Sequence, residues 1–287
     1  VISNYNGWQD TLVCLESLQR QTFTDFEIIL IDDASPNDSV AQLQGKLPPN
    51  TVFLPQQQNV GFAAANNIGI RRALADGCDF ALLLNNDTEV ISSRWIEEMV
   101  MYAQQDRVGC VGAKLLYPDN TIQHAGIGFG FLTLAAHMHK NFPVGHPGYM
   151  GRLVYAQDVY AVTAACLMVR RSVYEQVNGL DESFAVAFND VDFCLRVREA
   201  GYRIVWTPYA QLTHYESKSR GGDEKDPVKA RRFASEQQRL YDVHGKANIL
   251  DDPYYNSNLT RDREDFSESD DLRGLKEGRI TVRYRGA

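Results

Sequence analysis

The sequence predicts an α/β fold: a doubly wound, mainly parallel central sheet followed by a smaller mixed region. Three observations predict it. Short apolar runs at residues 26–31 and 80–84 stop abruptly at Asp32-Asp33 and at Asn85-Asn86-Asp87. Runs of that length, bounded by polar turn formers, read as strands buried on both faces. Amphipathic helical periodicity alternates with these runs at strand–helix–strand spacing, which gives parallel strands joined by right-handed crossovers. Acidic or amide residues also end three successive strands: Asn4 with Asn6, Asp32 with Asp33, and residues 85–87. The carboxyl edge of such a sheet is where an open α/β fold places its ligand.

The elements follow in order. Residues 1–5 end a first strand, Asn6-Gly7 turns, and residues 8–21 make an amphipathic helix with Leu12, Leu15 and Leu18 on one side. Residues 26–31 are the second strand, 38–47 a helix stopped by Pro48-Pro49, and 51–54 the third strand. The loop at 59–62 leads into a helix at 63–75 and then the strand at 80–84. A helix at 95–105 and a strand at 108–116 come next. Residues 117–160 are rich in Gly, His and aromatics with weak period-two patterning, which suggests short strands and long loops of a substrate-facing surface. A strand at 164–169, a short helix at 171–177, a helix at 190–200, a strand at 202–206 and a polar, charged helix at 226–244 complete the regular part. Beyond residue 251 the chain is polar and acidic, with one strand-like run at 280–284.

At 44% hydrophobic and 23% charged residues the composition is that of a globular chain, long enough for a substantial core. A net charge of −8 argues against a duplex nucleic-acid binder. Cys14, Cys78, Cys110, Cys166 and Cys194 form no C-x-x-C pair and read as small buried residues of a reducing compartment. No run reaches the length of a membrane span and none has the pattern of a signal peptide. The chain opens inside a strand-like run without Met. The expectation is a domain cut from a longer protein, or a disordered start left out.

Asp87 sits where a carboxylate can hold a divalent metal against a diphosphate, and the same Asn-Asn-Asp cluster also reads as turn and cap residues. A nucleotide lying across the strand ends would set its base and ribose near Asp33 and its diphosphate near Asp87. Gly61 reads either as a close-approach glycine beside a ligand or as a loop glycine. Asp190 and Asp192 straddle a helix start, where the dipole favours carboxylates. The chemical reading of Asp190 is a general base that takes the proton of an attacking hydroxyl. His214 follows a strand and precedes a Gly-rich, mixed-charge segment. It reads as polar surface, or as a metal ligand next to a lid in which Lys218 or Arg220 touches phosphate. His137 and His139 alternate onto one strand face. No P-loop is present, and Gly126-Ile127-Gly128-Phe129 lacks the third glycine of a dinucleotide fingerprint.

This order of motifs resembles family 2 glycosyltransferases of the GT-A fold, of the bacterial rhamnosyltransferase or O-antigen type. The residues that carry the resemblance are Val1-Ile2-Ser3-Asn4-Tyr5-Asn6, Asp32-Asp33-Ala34-Ser35, Asn59-Val60-Gly61-Phe62-Ala63, Leu83-Leu84-Asn85-Asn86-Asp87, residues 163–171, Gly179-Leu180-Asp181-Glu182-Ser183-Phe184 and Asp190-Val191-Asp192-Phe193-Cys194-Leu195-Arg196. Each is weak alone; seven in family order are specific. The resemblance implies a Rossmann-like GT-A catalytic domain over 1–222, with a nucleotide-binding half at 1–116 and an acceptor-side half at 117–222. Residues 223–287 are then a helical or irregular extension.

The resemblance further implies an inverting transfer from a UDP- or dTDP-linked sugar donor to a glycan or lipid-linked hydroxyl, in cell-surface polysaccharide synthesis. A divalent metal, Mn²⁺ or Mg²⁺, accompanies the donor. The family's metal motif falls on Asn85-Asn86-Asp87, which makes Asp87 the direct ligand and puts Asn85 where an Asp is usual. Its base-side Asp falls on Asp33, its catalytic base on Asp190, its metal-coordinating His on His214 and its small-residue donor-sugar loop on Thr163-Ala164. Asn189 replaces the Glu that usually precedes the base. Asn4, Gly61, Asn85, Asn86, Ala164, Lys218 and Arg220 join Asp33 as expected donor contacts. The expected location is cytoplasmic, at the inner face of the membrane, with other domains of a longer chain as partners. A sugar-phosphate nucleotidylyltransferase would need a Gly-rich, Arg-bearing loop after the first strand, which Asn4-Tyr5-Asn6-Gly7-Trp8 does not supply. The alternative is a GT-A module that binds nucleotide or glycan and has lost catalysis.

Overall fold

The computed structural model describes residues 1–131, 134–216, 227–263 and 265–269. Its first half is the predicted alternation: β1 (Ile2–Asn4), α1 (Trp8–Leu18), β2 (Ile28–Asp32), α2 (Ser39–Leu43), β3 (Thr51–Pro55), α3 (Phe62–Ala75) and β4 (Phe80–Asn85). β2 is buried at every position, as a strand covered on both faces must be. β1, β2, β3 and β4 pair in parallel in the order β3-β2-β1-β4, so the winding reverses between β1 and β4. That reversal opens the crevice at the carboxyl edge.

The second half extends this sheet. Its elements are β5 (Thr88–Val90), α4 (Trp95–Ala103), β6 (Val108–Leu116), β7 (Ile122–His124), β8 (Ile127–Phe131), β9 (Leu134–His137), β10 (Gln157–Val159), β11 (Cys166–Arg170), α5 (Arg171–Gln176), α6 (Asn189–Glu199), β12 (Arg203–His214), α7 (Pro227–His244) and α8 (Lys246–Leu250). β11 runs antiparallel to both β4 and β6, and β12 lies parallel to β6. β12 therefore points the same way as β1, β2 and β4, and its last residue, His214, reaches the same edge as Asn4, Asp32 and Asn85.

α1, α2 and α4 cover one face of the sheet with Leu15, Leu43 and the fully buried Trp95. α3, α6 and the β8–β9 hairpin cover the other with Ile70, Phe193 and Phe129. Each fully buried side chain of this kind contributes roughly 1.5–3 kcal/mol relative to exposure. α7 and α8 join the second face through Leu240 and Ile249, so the described part of the expected extension packs onto the core.

The expected elements among the described residues are found with ends shifted by a few residues, with one exception. β12 runs to His214 where the sequence suggested a strand ending at 206. A bulge between Thr207 and Gln211 hides the continuation, and Pro208 falls inside it. The short β5 was not expected; it forms by pairing with the end of β12. The strand-like run at 280–284 and the boundary at 222 lie outside the described residues. Among the described residues all five cysteines are free, four of them buried, and no helix is long and apolar enough to cross a membrane.

Candidate active site

The site is built on the β1–β4 crevice. Its floor is a polar network that the sequence placed only in part. Asn4 is fully buried; its Nδ2 donates to Asp32 Oδ2 at 2.6 Å and its Oδ1 accepts from Thr11 Oγ1 at 2.9 Å. Asp32 also accepts from the Ser35 backbone and hydroxyl. Asn86 turns inward, donating to Thr11 Oγ1 at 3.0 Å and to Gly7 O at 3.3 Å. A Cβ on Gly7 would stand 2.8 Å from Asn86 Nδ2 and would push that amide aside. Asn4 and Asn86, expected as donor contacts, are brackets between strand ends in this structure. Their amides satisfy neighbouring protein groups.

Asp33 lies on the β2–β3 side. Its two carboxylate oxygens accept from the Val60 and Gly61 backbone N–H groups at 2.8 and 3.0 Å. It thereby pins the loop that enters α3. Gly61 has φ 86° and ψ 165°, a region essentially closed to other residues, and nothing lies within 4 Å of where a Cβ would stand. The glycine is required by backbone conformation, and its N–H by Asp33.

On the other side of β1, the turn after β4 meets the end of β12. His214 Nε2 lies 3.1 Å from Asp87 Oδ1 and 3.2 Å from Asn85 Nδ2. The ring's other nitrogen is committed: Nδ1 lies 2.7 Å from Gln123 Oε1. Gln123 Nε2 donates to His214 O at 3.3 Å and to Glu216 Oε2 at 3.1 Å, which fixes the amide's orientation. The Gln123 oxygen can only accept, so Nδ1 carries a proton and the ring is oriented with Nε2 toward Asp87 and Asn85. Two donors at right angles on a hard ion with bonds of about 2.1 Å stand about 3.0 Å apart, and Asp87 and His214 match that separation. Their oxygen and nitrogen donors fit Mn²⁺ or Mg²⁺, with a diphosphate and water to complete the set. Among the described residues no group of three or more His, Cys, Asp or Glu forms a self-sufficient metal cage.

A three-residue segment leading into β11 ties this corner to the rest. The Ala165 carbonyl accepts from Asn85 N at 3.0 Å. The Ala164 N–H donates to Asp190 Oδ2 at 3.1 Å. The Thr163 N–H points at His124 Nε2 at 3.5 Å. Asp190 stands at the first turn of α6, its Oδ1 accepting from Val191 N at 2.8 Å. It is half-buried, with carboxylate capacity left for a further partner.

His124 Nδ1 lies 2.8 Å from His137 Nδ1. Burial holds both imidazoles below their ordinary range, and their proximity pushes His124 further down. Both rings are neutral near pH 7. Because the Thr163 N–H can only donate, His124 donates from Nδ1 and His137 keeps its proton on Nε2. Sequence alternation had put His137 with His139 on one strand face. Instead His139 lies in the turn after β9 with φ 58° and stacks on Phe266.

Asp33, Asn85, Asp87, Ala164, Asp190 and His214 thus line one sheet edge. Lys218 and Arg220 lie outside the described residues. Gln123 and His124 were missed, because single polar residues without a motif carry no signal until the fold joins them; Asp32 was marked as a strand end without its role as the partner of Asn4. A cavity of about 640 Å³ opens at the opposite edge of the sheet, but Asp25, Glu27, Asp76 and Asp79 rim it and would repel a diphosphate.

Comparison with known proteins identifies the family and the fold. A family model described as "Glycosyl transferase family 2" matches residues 1–177. Among curated relatives, the uncharacterized protein y4gI of Sinorhizobium fredii is 41% identical over 87% of this chain and 27% of its own length. The O-antigen biosynthesis protein RfbC of Myxococcus xanthus is 36% identical over 73% of this chain and 16% of its own. The chain therefore spans about a quarter or less of these two relatives. N-acetylglucosaminyl-diphospho-decaprenol L-rhamnosyltransferase of Mycobacterium tuberculosis is 25% identical over 73% of both chains. Among solved structures, GalNAc-T7 with UDP, GalNAc and Mn²⁺ superposes with TM-score 0.64 at 15% identity, covering 84% of this chain and 47% of that one. The mannosyltransferase PcManGT of Pyrobaculum calidifontis, with GDP-Man and Mn²⁺, superposes at 0.58 and 13% identity, covering 87% and 68%. At these identities the structures speak for the fold alone, which is GT-A.

Proposed function

The chain belongs to glycosyl transferase family 2, and on that premise we propose that it is an inverting transferase. It would move a sugar from a UDP- or dTDP-linked donor to a glycan or lipid-linked hydroxyl in cell-surface polysaccharide synthesis. The names of the O-antigen and rhamnosyltransferase relatives support the acceptor class. The observation that carries the reading is the 163–165 segment, which fixes Asp190 on one side and the Asn85–Asp87–His214 corner on the other.

Asp33 and the 59–61 loop would hold the nucleoside side of the donor. Its diphosphate would lie toward Asp87 and His214, which with Asn85 beside them would hold a divalent ion. When bound, that ion supplies charge neutralisation to the departing diphosphate. Asp190, held by the Ala164 and Val191 N–H groups, takes the acceptor proton. The acceptor oxygen then forms its bond to the anomeric carbon as the bond to the diphosphate breaks on the opposite face. His137, with its proton on Nε2, is a hydrogen-bond donor within the electrostatic reach of Asp190.

The test is Asp190→Asn, assayed with UDP- and dTDP-sugars and, in parallel, by calorimetric titration of UDP and dTDP with Mn²⁺, with Mg²⁺ and with chelator. Turnover falls by about 10²–10⁴-fold, the typical worth of a general base, while metal-dependent nucleotide binding stays. Persistent turnover removes Asp190 from the role. Metal-dependent binding with no turnover in the parent chain would instead support a module that has lost catalysis, a reading that Asn85 favours.

A further inference from the structure

α7 lies beyond the stretch that the family model matches, yet it reaches the loop that aims Asp190. Its sequence is charged and polar, but its buried positions Glu236, Leu240 and His244 recur every four residues and make one stripe. A leucine at the centre of that stripe is ordinary. A glutamate only 6% exposed is not.

The Glu236 carboxylate accepts from two successive backbone groups, Ala187 N at 2.7 Å and Val186 N at 3.3 Å. The next residue, Phe188, starts α6 in the left-handed conformation, φ 61° and ψ 6°, which a bulky L-residue adopts only when its surroundings impose it. Its ring packs against Phe233, one turn before Glu236 on α7, with ring centroids 5.0 Å apart. On the far side of Asp190, Asp192 is held by Arg196 and by His244 Nε2 at 2.9 Å. Asp190 is thus bracketed at 187–188 and at 192, and α7 supplies a contact on each side.

We propose that Glu236 is a positioning residue for the transfer: by holding the 186–187 backbone it imposes the turn at Phe188 and so fixes where α6 presents Asp190. The inference rests on the reading of Asp190 as the base. The donor corner on β4 and β12 makes none of these contacts, so the effect belongs to the chemical step rather than to donor binding.

The experiment uses the full chain carrying Glu236→Gln, with Phe233→Ala as a second variant whose half-exposed ring can be truncated without unmaking the core. Melting curves establish that each variant is folded. An amide can accept only one of the two N–H groups and turns its NH₂ against the other. The expected result is a fall in kcat of about 10- to 100-fold, the scale of a small misplacement of a reacting group, in Glu236→Gln. The same signature, milder, appears in Phe233→Ala. The donor KM and the affinity for UDP with Mn²⁺ stay at parent values, and the acidic limb of the kcat–pH profile moves. A purely structural role lowers the melting temperature and leaves kcat per folded molecule and the pH limb in place; that result overturns the proposal. Parent-like Glu236→Gln beside an inactive Asp190→Asn overturns the proposal alone. Parent-like turnover in Asp190→Asn overturns the base and the proposal together.

Discussion

Gln123→Leu tests the proposed metal corner through a residue that acts only by orienting His214. In the parent chain, Gln123 Oε1 takes the His214 Nδ1 proton at 2.7 Å, in a position where Gln123 is 3% exposed. Leucine fills a similar volume but accepts nothing. The buried Nδ1–H then loses its partner at a cost of about 1–3 kcal/mol, or the ring changes tautomer and turns a proton toward Asp87. An unmet N–H present with and without metal costs stability alone, but a tautomer preference of that size has to be reversed before Nε2 can bind an ion, and at 1.4 kcal/mol per tenfold it corresponds to about 5- to 150-fold in affinity. It brackets the roughly 10–100-fold typical of mutating a residue that orients a metal-bound histidine. The assay is titration of UDP into the chain with saturating Mn²⁺ and again with chelator. The metal-dependent gain in affinity shrinks by that factor, and binding in chelator does not change. Gln123→Glu keeps an acceptor at Nδ1 and recovers most of the loss, tempered by the Glu216 carboxylate 3.1 Å away. A Gln123→Leu chain with the parent's full metal-dependent affinity would refute the tautomer argument and, with it, the case for His214 as a ligand.

Two further outcomes concern stability. Asn67, fully buried on α3, accepts from Tyr174 Oη and Leu180 N and donates to Leu180 O and Glu182 Oε1, all at 2.7–2.9 Å. Asn67→Ala leaves at least three buried partners unmet and costs roughly 3–5 kcal/mol in urea unfolding; a loss under about 1 kcal/mol would mean that water replaces the amide. His244 has both ring nitrogens on carboxylates, Glu199 at 2.7 Å and Asp192 at 2.9 Å. Burial pushes its pKa down, but those two hydrogen bonds outweigh it and raise the value above the usual 6.5. A raised folded-state pKa gives stability that is complete below about 6.5 and disappears as pH rises through the folded value. The melting-temperature gap between parent and His244→Gln is therefore widest near pH 6 and narrows toward pH 9; a gap that widens with pH contradicts the assignment.

The parallel half of the fold was legible because its strands are buried on both faces, and uninterrupted apolar runs such as residues 28–31 have few other readings. β12 was legible only to its bulge, since Pro208 looks like an end when the sequence is all one has. Asp87 and Asp190 stood out as carboxylates where an apolar strand stops and a helix starts. Asn4 stood out equally, yet it is buried, because a strand-end amide serves a neighbouring strand as readily as a ligand. Gln123, His124 and Glu236 lie 91, 39 and 49 residues from their partners His214, Thr163 and Ala187. No local pattern encodes a contact at such separations.

The segment at 163–165 serves its three neighbours with backbone atoms: an N–H to His124, an N–H to Asp190 and a C=O that accepts from the Asn85 N–H. Main-chain groups are common to nearly every amino acid, so these anchors survive most changes of side chain. Drift in the identity of these residues would resize the proposed sugar pocket while leaving the proposed reacting groups aligned, and proline at 163 or 164 would be the exception because it deletes the N–H itself. Variation among relatives would then be a poor guide to importance here: the positions free to change are the ones on which the alignment of the reacting groups depends.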